Sequence, residues 1–195
     1  MRILLVSDEE SKYIWEHFDP ERFRGVELIL SCGDLSADYL GFLVSMIPAP
    51  LFYVPGNHDK SFVDNPPAGC DSLDGKILVF KGKRFFGLGG CKSSKNEPFE
   101  YTEADMARIV SKKKLLFLRH GGFDVFVTHA PAQGVGDGTD SFHQGFETFL
   151  KLNEQYKPEY HFFGHQHTSY GRVQKKIVRG PTTYMNACGY HILDI

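Results

Sequence analysis

The chain has 195 residues, 42% apolar and 14% aromatic, which is the make-up of a globular protein able to bury a core as one domain over residues 1–195. A formal net charge of −2 argues against a surface built for long nucleic acids, so no extended nucleic-acid interface is expected. No apolar run is long enough to span a bilayer, and residues 2–6 are too short for a secretion signal, so a cytoplasmic protein without membrane partners is expected.

In chain order, residues 2–6 predict a hydrophobic strand ending at Ser7-Asp8, and 9–18 a helix closed by Asp19-Pro20. A second buried strand over 27–31 delivers Cys32-Gly33-Asp34. Residues 37–47 have helical periodicity and stop before Pro48 and Pro50, since proline cannot continue a helix. A third strand, 51–54, leads through Pro55-Gly56 to Asn57 and His58. This β-α-β-α-β order favours parallel strands with right-handed crossovers.

Residues 62–74 read as a loop, and 76–80 with 84–88 as a hairpin across Lys81-Gly82-Lys83. Gly87, Gly89 and Gly90 either permit close backbone approach beside a site or only form a tight turn out of the sheet. A helix is expected over 102–119, with Thr102 as its cap and Lys112, Lys113 and Lys114 on a solvated face. A strand over 124–128 ends at His129, followed by a glycine-rich acidic rim or lid over 132–141. A helix from about His143 to Tyr156, with His143 capping it or at the surface, precedes a strand over 160–163 ending at Gly164-His165. Further strands are expected at 170–174, 176–178, 183–187 and 191–193. Cys32, Cys70, Cys91 and Cys188 lack any zinc-ribbon spacing and read as free, packed thiols, with Cys32 beneath the site.

Five segments carry the chemistry: Ser7-Asp8-Glu9-Glu10, Cys32-Gly33-Asp34, Gly56-Asn57-His58-Asp59, Thr128-His129-Ala130-Pro131 and Gly164-His165-Gln166-His167. Each follows an apolar run and so sits at a strand end, where open α/β sheets bind ligands. Carboxylate, amide and imidazole groups are ligands for divalent metals, and a pair of such ions suits phosphate-ester hydrolysis. Singly, Asp8 or Asn57 would cap a turn and His129 would be a satisfied strand-end histidine; the set decides.

At these residues the chain resembles the calcineurin-like metallophosphoesterase superfamily, with the motifs in the family's order from Asp8 to His167. The resemblance implies an α/β fold, a four-layer α-β-β-α sandwich of two mixed sheets. It also implies two metal ions; with Glu10 in place of the usual histidine, Mn2+ or Fe2+/Fe3+ are favoured, and Zn2+, Mg2+ or Ni2+ are compatible. Asp8 and His167 would hold the first ion, Asn57, His129 and His165 the second, and Asp34 would bridge them. His58 would bind the phosphoryl group or assist the leaving oxygen, and Asp59 could hold its imidazole in one tautomer. A metal-bridging hydroxide would attack phosphorus in line.

One position departs from the family. Glu10 stands where Asp-x-His is usual, and in an extended segment residues 8 and 10 face one side, so Glu10 is expected on the first ion. Replacing imidazole by carboxylate removes one positive charge about 5 Å from the phosphoryl group, worth roughly 3 kcal/mol at an effective dielectric near 20. That favours monoanionic diesters over dianionic monoesters. The segment after Gly33-Asp34 lacks the Asp-Arg-Gly of protein phosphatases, so a small phosphorylated substrate, most simply a phosphodiester, is expected. A homo-oligomer is compatible with the sequence. The competing expectation is a noncatalytic protein-binding scaffold on the same fold.

Overall fold

In the first strand, β1 (Arg2–Ser7), every residue after Arg2 is buried, so both of its faces must be covered. The computed structural model, which describes residues 1–95, 97–140, 142–167 and 175–195, shows by what. Ile3 and Leu5 point into a core shared by two sheets, while Leu4 and Val6 point outward under helices.

The first sheet adds β2 (Leu28–Ser31), β3 (Leu51–Tyr53) and β4 (Asp71–Ser72) to β1 as parallel neighbours. The last strand, β13 (Gly189–Asp194), closes the other side of β1 antiparallel, with Ser7 opposite Gly189. The second sheet is built on the hairpin of β5 (Ile77–Phe80) and β6 (Lys83–Leu88). A separate small parallel pair, β7 (Cys91–Lys92) and β8 (Glu100–Tyr101), follows β6 in the chain. The second sheet continues through β9 (Val125–Thr128), β10 (Tyr160–Phe163) and β12 (Thr182–Asn186), all parallel to β6. An antiparallel edge strand, β11 (Lys176–Arg179), completes it.

Leu30, Phe52, Phe85, Val125, Val127 and Phe162 fill the space between the sheets. Outside the first sheet, Ile14 of α1 (Lys12–Glu16) and Tyr39 and Leu43 of α2 (Ala37–Met46) cover Leu4 and Ile29. Outside the second, α3 (Glu103–Ser111), α4 (Lys114–His120) and α5 (Glu147–Tyr156) lay Met106, Phe117 and Phe149 over Phe86 and Phe126. The result is four layers, α-β-β-α, with two large mixed sheets. Among the described residues no helix is long and apolar enough to cross a membrane.

Three expected helices come out shorter or divided, each for a local reason. The helix expected from residue 9 starts only after Ser11, whose side chain caps Ile14, because residues 8–10 turn toward the site. The helix expected over 102–119 begins with the expected Thr102 cap, part of a capping box with Asp105. It then divides at Lys112, whose amide is shared by the carbonyls of Arg108, Ile109 and Val110, a tightening that ends α3. The helix expected from His143 begins at Glu147, where Glu103 accepts the amides of Glu147 and Thr148. The strand expected at 170–174 lies outside the described residues, and the two-residue β4, β7 and β8 had no sequence signal.

Candidate metal centre

The parallel strands β1, β2, β3, β9 and β10 bring their C-terminal ends to one edge, and the turns there are unusually tight. Asp8, Asp34 and His165 all have positive φ (64°, 57° and 66°), a conformation that costs a non-glycine residue roughly 1–2 kcal/mol. Neighbouring backbone bonds hold them in it. The Asp8 amide donates to the Gly33 carbonyl (3.1 Å), and the His165 amide donates to both Asp8 carboxylate oxygens (2.9 and 3.0 Å). The Asp34 and Gly56 amides both donate to Asp59 Oδ2 (2.8 and 2.7 Å), and the His58 amide donates to Asp34 Oδ1 (2.8 Å). Gly56 is obligatory in this arrangement, since a Cβ there would lie 2.0 Å from Asp34 Oδ1.

His129 is fully buried, and its Nδ1–H donates to the Cys32 carbonyl (2.8 Å). Its Nε2 lone pair then faces Asn57 Oδ1 at 3.1 Å and Asp34 Oδ2 at 3.3 Å. Three acceptors converging on one point favour a cation between them. A proton on His129 is one answer: burial opposes it, but Asp34, Asp8 and the Cys32 carbonyl outweigh burial and lift the pKa to about 9. Burial also works against the Asp34 charge, yet His129 and the His58 amide hold that carboxyl at about 2. A divalent ion is the other answer, and the donor set fits it.

His165 completes the set. Its Nε2–H donates to the Phe142 carbonyl (2.8 Å), leaving the other ring nitrogen as an acceptor. Burial, helped by His129, drops its pKa to about 3, so it stays in the neutral form that binds metal. Asp34, His129 and His165 bring one ligand atom each within 4.8 Å of one another, with Asn57 alongside.

The family model for calcineurin-like phosphoesterases matches residues 1–169. The chain belongs to this family. No curated protein sequence matches it significantly. Among solved structures it is similar to TT1561 of Thermus thermophilus, at 15% identity and a TM-score of 0.65, over 99% of this chain and 93% of that one. It is also similar to a single-mutant Vps29 from Entamoeba histolytica, at 12% identity and a TM-score of 0.44, over 95% of this chain and 73% of that one.

Around Asp8 and His167 this family member departs from what its sequence leads one to expect. His167 lies with Nε2 3.9 Å from Asp8 Oδ1 and Nδ1 3.9 Å from Glu9 Oε1. Burial raises the Asp8 pKa, against the pull of His129. Glu10 directs Oε1 to the N-terminus of α2, accepting from the Ser36 amide (3.2 Å) and hydroxyl (2.5 Å). The group that gathers at His167 is instead Glu9 and Cys188, with ligand atoms within 4.8 Å. Neither was singled out from sequence. The available signal was topological: β12 runs parallel to β10, so the residues after it reach the same edge.

His58 projects into solvent, its side chain 79% exposed and Nε2 3.9 Å from Asp34 Oδ2. Asp59, expected on the His58 ring, has Oδ2 on two backbone amides, where burial and the Asp34 charge push its pKa to about 6 against the bond from Gly56. Gly87 and Gly89 do permit close approach, to Leu73 and to Pro55 of the Asn57 turn respectively. In the rim, the Phe142 and His143 carbonyls accept from His165 and from Gln166 Nε2 (2.8 and 2.7 Å), tying it to the last motif. Asp140 accepts from the His143 ring at 2.9 Å.

Proposed function

We propose that this chain hydrolyses phosphate esters at a dinuclear metal centre, with small phosphodiesters as the preferred substrates and manganese or iron among the ions used. The observation that carries this is the convergence of Asp34, Asn57 and His129 acceptors beside a His165 kept neutral by burial. Asp34, Asn57, His129 and His165 would hold one ion, and Asp8 and His167 would border the other. When bound, the ions lower the pKa of water and neutralise charge on the phosphoryl oxygens.

The residues do the rest. Asp59 fixes the Gly56 and Asp34 amides, so the ligands are oriented before substrate arrives. His58, held by its own amide on Asp34 with its ring free toward solvent, stands where it can give a proton or hydrogen bond to the leaving oxygen. Asp8 and Glu9, beside His167, place carboxylates at the first position, which disfavours dianionic monoesters relative to monoanionic diesters.

Metal stoichiometry of the purified chain, with hydrolysis of an aryl phosphodiester in added manganese, tests the reading. Two ions per chain with turnover are expected. One or no ion and no turnover would overturn it in favour of a noncatalytic scaffold. His58→Ala should cut turnover about 10²–10⁴-fold with an alkyl leaving group and much less with nitrophenolate; equal losses would remove His58 from the acid role.

A further inference from the structure

Cys188 sits in the turn between β12 and β13, 6% exposed, and its position is fixed on three sides. Its amide donates to Asn186 Oδ1 (2.9 Å), its carbonyl accepts from His191 Nε2 (3.2 Å), and Asn186 Nδ2 donates to the Gln166 carbonyl (2.7 Å). The last bond ties this turn to the segment that carries His165 and His167. On the opposite side, the register of Ser7 with Gly189 sets the Glu9 turn beside it. Thiol, imidazole and carboxylate thus meet from three separate parts of the chain, within 4.8 Å.

We infer that the first metal position is completed by the Cys188 thiolate and the Glu9 carboxylate at His167, and that Glu10 is not a ligand. This deepens the dinuclear reading and rests on it. Glu10 is accounted for at Ser36, whereas Glu9 faces His167 Nδ1, and Asp8 borders the same ring through Nε2. On binding, the Cys188 S–H bond breaks, a sulfur–metal bond forms and the proton leaves to solvent, so one thiolate and one carboxylate neutralise a divalent ion. A soft sulfur ligand shifts this position toward iron, zinc or cobalt and away from magnesium. The second position, with oxygen and imidazole ligands only, keeps a broader choice that includes manganese.

The test is a titration of the chelator-stripped full-length chain with cobalt(II) chloride, followed by absorbance and by bound-metal analysis. A near-ultraviolet thiolate-to-cobalt charge-transfer band with the intensity of a single cobalt–thiolate bond per chain, saturating by two equivalents, is expected. Cys188→Ser and Cys188→Ala should lose that band while still binding cobalt at the second position, and Cys91→Ser should keep it. Glu9→Gln, on the surface and harmless to folding, should keep the band but weaken that site about tenfold or more. Two bound cobalt ions without a band, or a band surviving in both Cys188 variants, would overturn the thiolate site and leave the dinuclear reading standing. No bound cobalt at all would overturn both.

Discussion

Asp34 and His129 face each other at 3.3 Å with opposite shifts, one carboxyl held at about 2 and one imidazole raised to about 9. In the metal-free chain a proton on His129 therefore does part of a cation's work. Since the folded pKa lies above the ordinary 6.5, the pair's stabilisation is complete below that value and is lost as pH rises through about 9. The loss is on the order of 3 kcal/mol. Denaturant melts in chelator at pH 6, 7.5 and 9 should show that loss, and melts with metal should not. By the same linkage, metal affinity should climb about tenfold per pH unit up to about 9 and then level. At Glu10, Glu10→Gln should leave metal content unchanged and cost about 1 kcal/mol through the weakened contact with Ser36; a lost equivalent of metal would restore it as a ligand. Asp34, Asn57, His129 and His165 could be singled out because each lies within four residues of the end of a strand. That Glu9 rather than Glu10 lies beside His167 was not legible, because alternation of side chains presumes an extended backbone and Asp8 at φ +64° breaks it.

The elements that carry the site are strands joined to very short turns, and glycine sets how closely those turns meet. Gly56→Ala would drive a methyl into Asp34 and should abolish binding at the second position, read as one metal equivalent lost. Gly41→Ala, inside α2 with open space around it, should instead stabilise by about 0.5–1 kcal/mol with metal content unchanged. His161 serves β10 in another way. Its Nε2–H donates to Thr128 Oγ1 at 2.8 Å, its Nδ1 accepts from Asn153 at 2.9 Å, and burial drops its pKa to about 3. A depressed histidine pKa makes stability fall as pH drops from about 6.5 toward 3, and His161→Gln should flatten that dependence in acid melts. Strands such as β1 and β10 could be found from apolar runs alone. The breaks at Lys112 and before Glu147 could not, since each depends on bonds that leave no periodic trace in the sequence.

At the scale of the molecule, the site straddles two sheets: Asp34 and Asn57 come from the first, His129 and His165 from the second. The core between those sheets therefore sets the metal–ligand distances, whereas the cores under the helices only support each sheet from outside. Leu30→Ala, between the sheets, and Leu43→Ala, under α2, should each cost about 2–5 kcal/mol. Only Leu30→Ala should also weaken metal binding, as measured by titration under conditions where both variants stay folded. Equal affinities would mean that the two sheets hold their spacing without that contact. Strands buried on both faces read as continuous apolar runs, so the sequence pointed to α/β, while the four layers followed from the family resemblance.

The orientation of the strands leaves the molecule with a second, quiet edge. The hairpin turn at Lys81-Gly82 and the turn at Gly180 lie at the starts of β6 and β12, and a side chain added at either glycine would meet nothing within 4 Å. Six residues of β6 place that hairpin about 20 Å from the metal-binding edge. A reporter domain or affinity tag spliced in there would have room to fold while the loops at the candidate site stay untouched, giving a handle for capturing the protein without disturbing that edge.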